Sequence, residues 1–175
     1  KDPIIRYGGM YCIGMAYAGT GSSLPFKKLI KYSVSDVNDD VRRAAALNMG
    51  FILFKTPERL PELLNLLAES YNPHVRYGVA MALGIGCSGT GQVDTLKLLV
   101  PLTNDSVDFV RQGALIAISM VFIQQTEALE PRVAKINEMY SKIYSNKHEE
   151  ILAKFGSIVG TGILNAAGRN ATIKL

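Results

Sequence analysis

Val75-Arg76-Tyr77-Gly78-Val79-Ala80-Met81-Ala82-Leu83-Gly84-Ile85-Gly86, leaving through Cys87-Ser88-Gly89-Thr90-Gly91, decides the fold of this chain. The stretch is apolar nearly all round, and a helix without a polar face is a buried one. It nevertheless carries glycine two and eight residues after Arg76, although glycine costs roughly 1 kcal/mol against alanine in a helix interior. The arrangement recurs. An apolar residue followed by a basic one stands at Ile5-Arg6, Val41-Arg42, Val75-Arg76, Val110-Arg111 and Ala153-Lys154, at separations of 36, 34, 35 and 43 residues. Two positions after each anchor lies a small residue (Gly8, Ala44, Gly78, Gly113, Gly156), and eight positions after it another (Gly14, Gly50, Gly84, Ser119, Gly162). A period in the mid-thirties marks a stacked helical array. The expected fold is all-α: an α-solenoid of stacked helix pairs, an α-α superhelix of about five units, forming a single array over 1–175.

The anchored segments are expected as buried helices over about 4–18, 38–54, 73–87, 107–124 and 149–166. Asp2-Pro3 and Asn72-Pro73 place a capping side chain before a proline at the first helical position. Asp39 and Asp108 add negative charge near helix N-termini. Between them lie amphipathic helices over about 25–34, 58–70, 92–102 and 130–145. In the second of these, Leu60, Leu63, Leu64, Leu67 and Ala68 make an i, i+3, i+4, i+7, i+8 stripe. Pro61 predicts a late start there, and Pro101 an end or kink. Helical character is lost at Gly168, and Ala171-Thr172-Ile173 reads as the start of an extended segment.

Composition narrows the function. The chain has 175 residues, 48% of them hydrophobic, with 19 basic and 15 acidic residues for a net charge of +4. Lys27, Lys28 and Lys31 form the one tight basic cluster and fit a single wet helix face, so no nucleic-acid partner is expected. The longest apolar run, Gly113 to Ile123, is too short to span a bilayer. Cys12 and Cys87 belong to no Cys-x-x-Cys and are expected as buried structural thiols. The chain opens at Lys1 without methionine, as a piece of something longer would.

Candidates for chemistry are few. His74 sits at a helix start and His148 in a polar loop, both expected as solvent-exposed or capping residues, and neither has the ligand company that a metal needs. Serines 22, 23, 33, 35 and 70 lack a Gly-x-Ser-x-Gly context. The pairs Asp39/Asp40 and Glu149/Glu150 fall at helix N-termini, where the dipole suffices to explain them. Gly19-Thr20-Gly21 and Gly89-Thr90-Gly91 could cradle phosphate, but they follow helices and lack the lysine of a phosphate loop, so they read as helix terminators. No catalytic residue, cofactor or metal is expected.

The recurring glycines therefore point to closeness, since removing the β-carbon lets a neighbouring helix approach until backbones nearly touch. Two small positions six residues apart lie on differing sides of a helix, so each helix is expected to be squeezed by more than one neighbour. Gly14…Ala18-Gly19-Thr20-Gly21 and Gly84…Ser88-Gly89-Thr90-Gly91, each following Arg-Tyr-Gly, resemble the proteasome/cyclosome repeat. So do Arg42-Arg43-Ala44-Ala45…Gly50 and Arg111-Gln112-Gly113-Ala114. Val34 to Ala45 and Glu69 to Gly78 resemble most the proteasome branch of that family, in its larger member.

The resemblance implies a toroid-type ring of two helix layers and a non-catalytic scaffold of the proteasome regulatory particle, in cytoplasm and nucleus. Its partners would be other regulatory-particle subunits: the ATPase ring, ubiquitin receptors and deubiquitinating subunits. The structural anchors it implies are Arg6, Arg42, Arg76 and Arg111 with Gly14, Gly50, Gly84, Gly113 and Gly162. The second, fourth and fifth units depart from the pattern by lacking a full Gly-Thr-Gly exit, Ser119 replaces a glycine, and Lys154 replaces an arginine.

In the related HEAT repeat, aspartate and arginine of successive units form a ladder; Asp36/Arg42 and Asp105/Arg111 have its six-residue spacing. A structural ladder is the first reading of these arginines, and a ligand-facing basic row the second. Two scaffolds of other classes stay open: a HEAT-like adaptor, such as a transport receptor or phosphatase scaffold, and the cyclosome subunit. About five units would not close a ring, so an uncapped arc is expected to associate with itself through its apolar ends.

Overall fold

Asp2 accepts the amide of Ile4 through Oδ1 at 2.8 Å, Pro3 takes the first helical position, and helix α1 (Pro3–Ala16) begins there. In the computed structural model, which describes residues 2–168, the same logic starts the other helices of this class. Asn38 Oδ1 accepts from the amides of Asp40 and Val41 before α3 (Asp39–Leu53). Asn72 Oδ1 accepts from His74 before α5 (Pro73–Gly86). Asp105 Oδ1 accepts from Val107 before α7 (Asp108–Val121). The fifth is α9 (Ile151–Leu164). Between them lie α2 (Ser23–Ser35), α4 (Leu60–Ala68), α6 (Val93–Leu102) and α8 (Arg132–Ser145). Among the described residues there is no strand, and no helix is long and apolar enough to cross a membrane.

The prolines act as their chemistry requires. A 3-10 turn over Pro57–Arg59 precedes α4, which starts late, with Pro61 in its first turn. Pro101 sits in the last turn of α6, which ends one residue later. The expected extended segment at Ala171-Thr172-Ile173 lies outside the described residues.

The odd-numbered helices pack on one another in chain order, and each even-numbered helix lies mainly on the odd-numbered helix that follows it. This is the two-layer array that the period implied. Val41, Met49, Val79, Leu83, Leu115 and Ile118, all from odd-numbered helices, are buried in its core, and Leu29, Leu64, Leu99 and Tyr140 meet them from the second layer. Each such aliphatic side chain contributes about 1.5–3 kcal/mol by leaving water. Lys27, Lys28 and Lys31 occupy the exposed face of α2.

The Gly-Thr-Gly exits do more than stop their own helix. Gly19 (φ +67°) and Gly21 (φ +63°) donate their amides to the carbonyls of Phe51 and Ile52, at 2.8 and 3.1 Å, in the last turn of α3. Gly89 (φ +73°) and Gly91 (φ +59°) do the same for Met120 and Val121 in α7, at 2.9 and 3.0 Å. Carbonyls in a helix's last turn have no partner within the helix, so each exit caps the helix of the next unit. The left-handed backbone needed for this favours glycine. These amides are bonded inside the array, which removes the phosphate-cradle alternative.

Two expectations need correction. Cys87 is buried, and burial pushes its thiol up, but Cys12 is exposed. Cys12 stands six residues after its anchor, a position that in later units faces the preceding unit and that on α1 is exposed. His74 is neither capping nor fully exposed: its ring stacks on Phe109 with centroids 5.1 Å apart, half-buried. His148 is exposed in its loop, as expected.

Candidate functional site

The surfaces that define this chain are its helix interfaces, and one register builds them all. The residue eight after an anchor faces the residue six after the next anchor. A β-carbon built on Gly50 would fall 2.9 Å from the Cα of Ala82, and one on Gly84 would fall 2.8 Å from the Cα of Ala117. On Gly14 it would meet the Asn48 side chain, with Cβ at 2.7 Å. Real β-carbons do not come that close, so an alanine at any of the three forces a shift. The second small position faces the other way. A β-carbon on Gly78 would lie 2.7 Å from Ala46 Cβ and from the Arg43 carbonyl oxygen. On Gly113 it would meet the Tyr77 ring at 2.7 Å, and on Gly156 the Cα of Gln112 at 2.8 Å. The middle helices α3, α5 and α7 are thus pressed from both sides, as the six-residue offset implied, whereas α1 and α9 are pressed from one.

Two of the small positions behave differently. Nothing lies within 4 Å of a β-carbon on Gly8 or Gly162. They are the outward-facing members of the first and last units, so they have nothing in this chain to press against. In the last interface Ser119 carries the β-carbon and Gly160 lacks one, with Ser119 Oγ 2.5 Å from where it would be. Ala82, Ala117 and Gly160 make a third small register, six after the anchor, which Asn48 interrupts in the second unit. Ser119 Oγ also lies 2.7 Å from the buried Tyr140 hydroxyl, which donates to the Leu115 carbonyl at 2.6 Å. Burial pushes the Tyr140 phenol well up, keeping it neutral.

The arginine anchors form a ladder between units. Arg6 binds Asp36 through two hydrogen bonds, Nε to Oδ2 at 2.7 Å and Nη2 to Oδ1 at 3.0 Å. Arg76 binds Asp105 in the same way, at 2.7 and 2.9 Å. Asp36 and Asp105 therefore pair with the anchor of the preceding unit, while their backbone carbonyls accept from Arg42 Nε and Arg111 Nη1 of their own. Bonding to Arg6 and to the Asn38 amide holds the Asp36 carboxyl below its ordinary range despite burial. Burial pushes Asp105 up, but Arg76, the Val107 amide and Arg111 together outweigh it and leave it lowered.

One step of the ladder is missing and another is displaced. Six residues before Arg76 stands Ser70, which has no carboxylate to offer Arg42; the nearest acid to Arg42 is its own Asp39, at 3.9 Å. Asn72 bridges the same junction, donating from Nδ2 to Asp39 Oδ1 at 2.7 Å. Six residues before Lys154 stands His148, and its neighbour Glu149 takes the role, accepting from Arg111 Nη2 at 3.0 Å. The helix dipole is therefore not the whole reason for Glu149. Arg6, Arg76 and Arg111 each bind an acid across a junction, while Arg42 is held by the Asp36 carbonyl of its own unit. Among the described residues no group of three His, Cys, Asp or Glu side chains could hold a metal.

Comparison with known proteins agrees with this geometry. A family model described as HEAT repeats matches residues 26–119, which run from α2 through most of α7. The whole chain is 56% identical, over 176 aligned residues, to a 26S proteasome non-ATPase regulatory subunit 1 of Drosophila melanogaster, covering 17% of that protein. It is 54% identical over its whole length to the homolog B of that subunit in Arabidopsis thaliana, covering 18%. Over 99% of its length it is 52% identical to the 26S proteasome regulatory subunit RPN2 of Saccharomyces cerevisiae, again covering 18%. The chain thus spans less than a fifth of the length of these relatives.

Proposed function

The chain belongs to the HEAT-repeat family, and from that premise we propose that it is a non-catalytic scaffold segment of the proteasome regulatory particle. The observation that carries this reading is identity above 50% across the full chain to relatives named as non-ATPase regulatory subunits of the 26S proteasome. Arginines and glycines are committed to helix junctions, which is the chemistry of a rigid support and not of turnover. On this reading its partners are other regulatory-particle subunits, including the ATPase ring, ubiquitin receptors and deubiquitinating subunits. Its compartments are the cytoplasm and nucleus where the proteasome resides, and it needs no cofactor. A HEAT-like adaptor of another class would need no recurrent glycine contact, and that contact favours the proteasome reading.

A segment exchange tests the proposal. The matching 174 residues of the Saccharomyces cerevisiae subunit are replaced by this chain, and assembly of the 26S particle is followed on native gels with a peptidase overlay. Incorporation and ubiquitin-dependent degradation close to those of the parent are expected. A soluble, folded exchange protein that stays outside the particle would overturn it.

A further inference from the structure

We infer that the groove between α2 and α4 is a docking site for an acidic segment of a partner protein, which inserts an apolar side chain and sets carboxylates against Lys27 and Arg59. The inference does not rest on the proposed function. In the second layer α4 packs on α6, but α2 and α4 barely touch, and a cavity of about 200 Å³ stays open between them. Phe26 and Leu53, both buried, form its floor. Ile30 of α2 and Leu63 of α4 form its walls, and Leu63 is 39% exposed. Lys27 stands on the α2 side, and the 3-10 turn before α4 brings Arg59 to the other.

Charge decides the partner's chemistry. Among the described residues, neither Lys27 nor Arg59 has an acid within ion-pair distance, and neither do Lys28 and Lys31 on α2 or Lys55 just after α3. Glu58 and Glu62, the acids closest along the chain, are exposed and do not line the groove. Carboxylates arriving here would gain charge-assisted bonds and a complementary field. Size and shape then choose among anions. The cavity is smaller than the roughly 300–1,000 Å³ that encloses a free small ligand, but it has room for a large apolar side chain. Its apolar surface is recessed between two helices, where a flat bilayer does not reach. Its exposed wall is aliphatic and offers no ring on which a base could stack. An apolar side chain flanked by carboxylates on a peptide meets both the cations and the recess.

The probe is a fluorescein-labelled peptide, Asp-Glu-Phe-Glu-Asp-Leu-Leu-Asp-Glu, followed by anisotropy for affinity and by methyl NMR of the chain for place. Saturable binding that weakens as salt rises is expected, with methyl shifts centred on Ile30, Leu53 and Leu63. Peptides with serine for Phe and Leu, or with Asn and Gln for the acids, should each bind roughly tenfold more weakly or worse. Lys27→Glu/Arg59→Glu, two changes at exposed positions, should lose affinity for the acidic peptide while keeping helical circular dichroism. It should instead bind the same peptide with lysine in place of the acids. The titration is repeated on the full-length exchange protein described above, where binding should persist. Loss of binding there alone would mean that the longer chain fills its own groove, and would overturn a partner as occupant. The inference also fails if millimolar peptide leaves those methyls unmoved, or if the charge-reversed variant binds the acidic peptide equally well. Preference for phosphatidylserine vesicles or an oligothymidylate over the peptide would overturn it too.

Discussion

Ser119 and Gly160 exchange the roles that Gly84 and Ala117 play one junction earlier: the β-carbon moves from one helix to the other, and each contact keeps a glycine on one side. The missing glycine at position 119 is therefore compensated across the junction. Gly160→Ala puts a carbon 2.5 Å from Ser119 Oγ and 2.8 Å from the Tyr140 ring, and overpacking of that kind costs about 1–3 kcal/mol. Adding Ser119→Gly should recover part of the loss, the remainder belonging to Tyr140, whose hydroxyl keeps its bond to Leu115. Urea melts of the two single variants and the double variant measure the coupling; additive losses would deny the exchange.

Gly84→Ala should destabilise, by roughly 1–3 kcal/mol, because the new carbon lies 2.8 Å from backbone that cannot swing aside. Gly9→Ala is the control. It lies within α1 with nothing inside 4 Å, at the register where Ala45 and Ala114 stand. There, alanine's better helix propensity should stabilise by a few tenths to about 1 kcal/mol. Opposite signs in thermal melts are expected, and a gain in both would remove close packing as the reason for the repeated glycines.

The ladder predicts a loss and a gain. Arg76→Ala leaves Asp105 largely buried without its cation, at a cost of roughly 2–4 kcal/mol. Ser70→Asp supplies the missing carboxylate to Arg42 and should add about 1 kcal/mol. Ser70 Oγ already accepts from the Asn72 amide at 3.3 Å, as Asp36 and Asp105 accept two residues onward, so the local backbone suits the change. A chemical melt in which Ser70→Asp lowers stability would show that Arg42 has no room for a carboxylate.

Acid should weaken the array. Asp36 and Asp105 are held below the unfolded aspartate value of about 3.9. The unfolded chain therefore binds protons first as pH falls, and their stabilisation, complete well above that value, is lost as pH drops towards and through the folded values. Stability measured from pH 6 to about pH 3 should fall, and Asp36→Asn should flatten the slope, starting from a lower plateau. A wild-type profile no steeper than that of Asp36→Asn would contradict the role of Asp36.

Gly89→Ala tests the cross-unit cap. At φ +73° a β-carbon is strained although its nearest contact, the Ile123 carbonyl oxygen, is an ordinary 3.5 Å away. A loss of about 1–2 kcal/mol is expected, with faster amide exchange in the last turn of α7, whose carbonyls the turn caps. Exchange faster only in α5 would return the turn to a simple terminator.

Helix number, helix order and the placement of close contacts were readable from residues alone, because each depends on local chemistry repeated at a fixed period. Asp2-Pro3 pairs a capping side chain with a proline suited to the first helical position, and glycine at Gly50 and Gly84 makes sense only if something approaches. Partnership across units was not readable. Arg6 and Asp36 are 30 residues apart, Arg111 and Glu149 are 38 apart, and the connectors between them vary in length. The sequence therefore paired Asp36 with Arg42 by spacing, where the packed helices pair its carboxylate with Arg6. The caps supplied by Gly89 and Gly91, the trade between Ser119 and Gly160, and the exposure of Cys12 share that cause. Each is a relation between two helix surfaces in contact, and such contact is decided by how the helices stack, not by their distance along the chain.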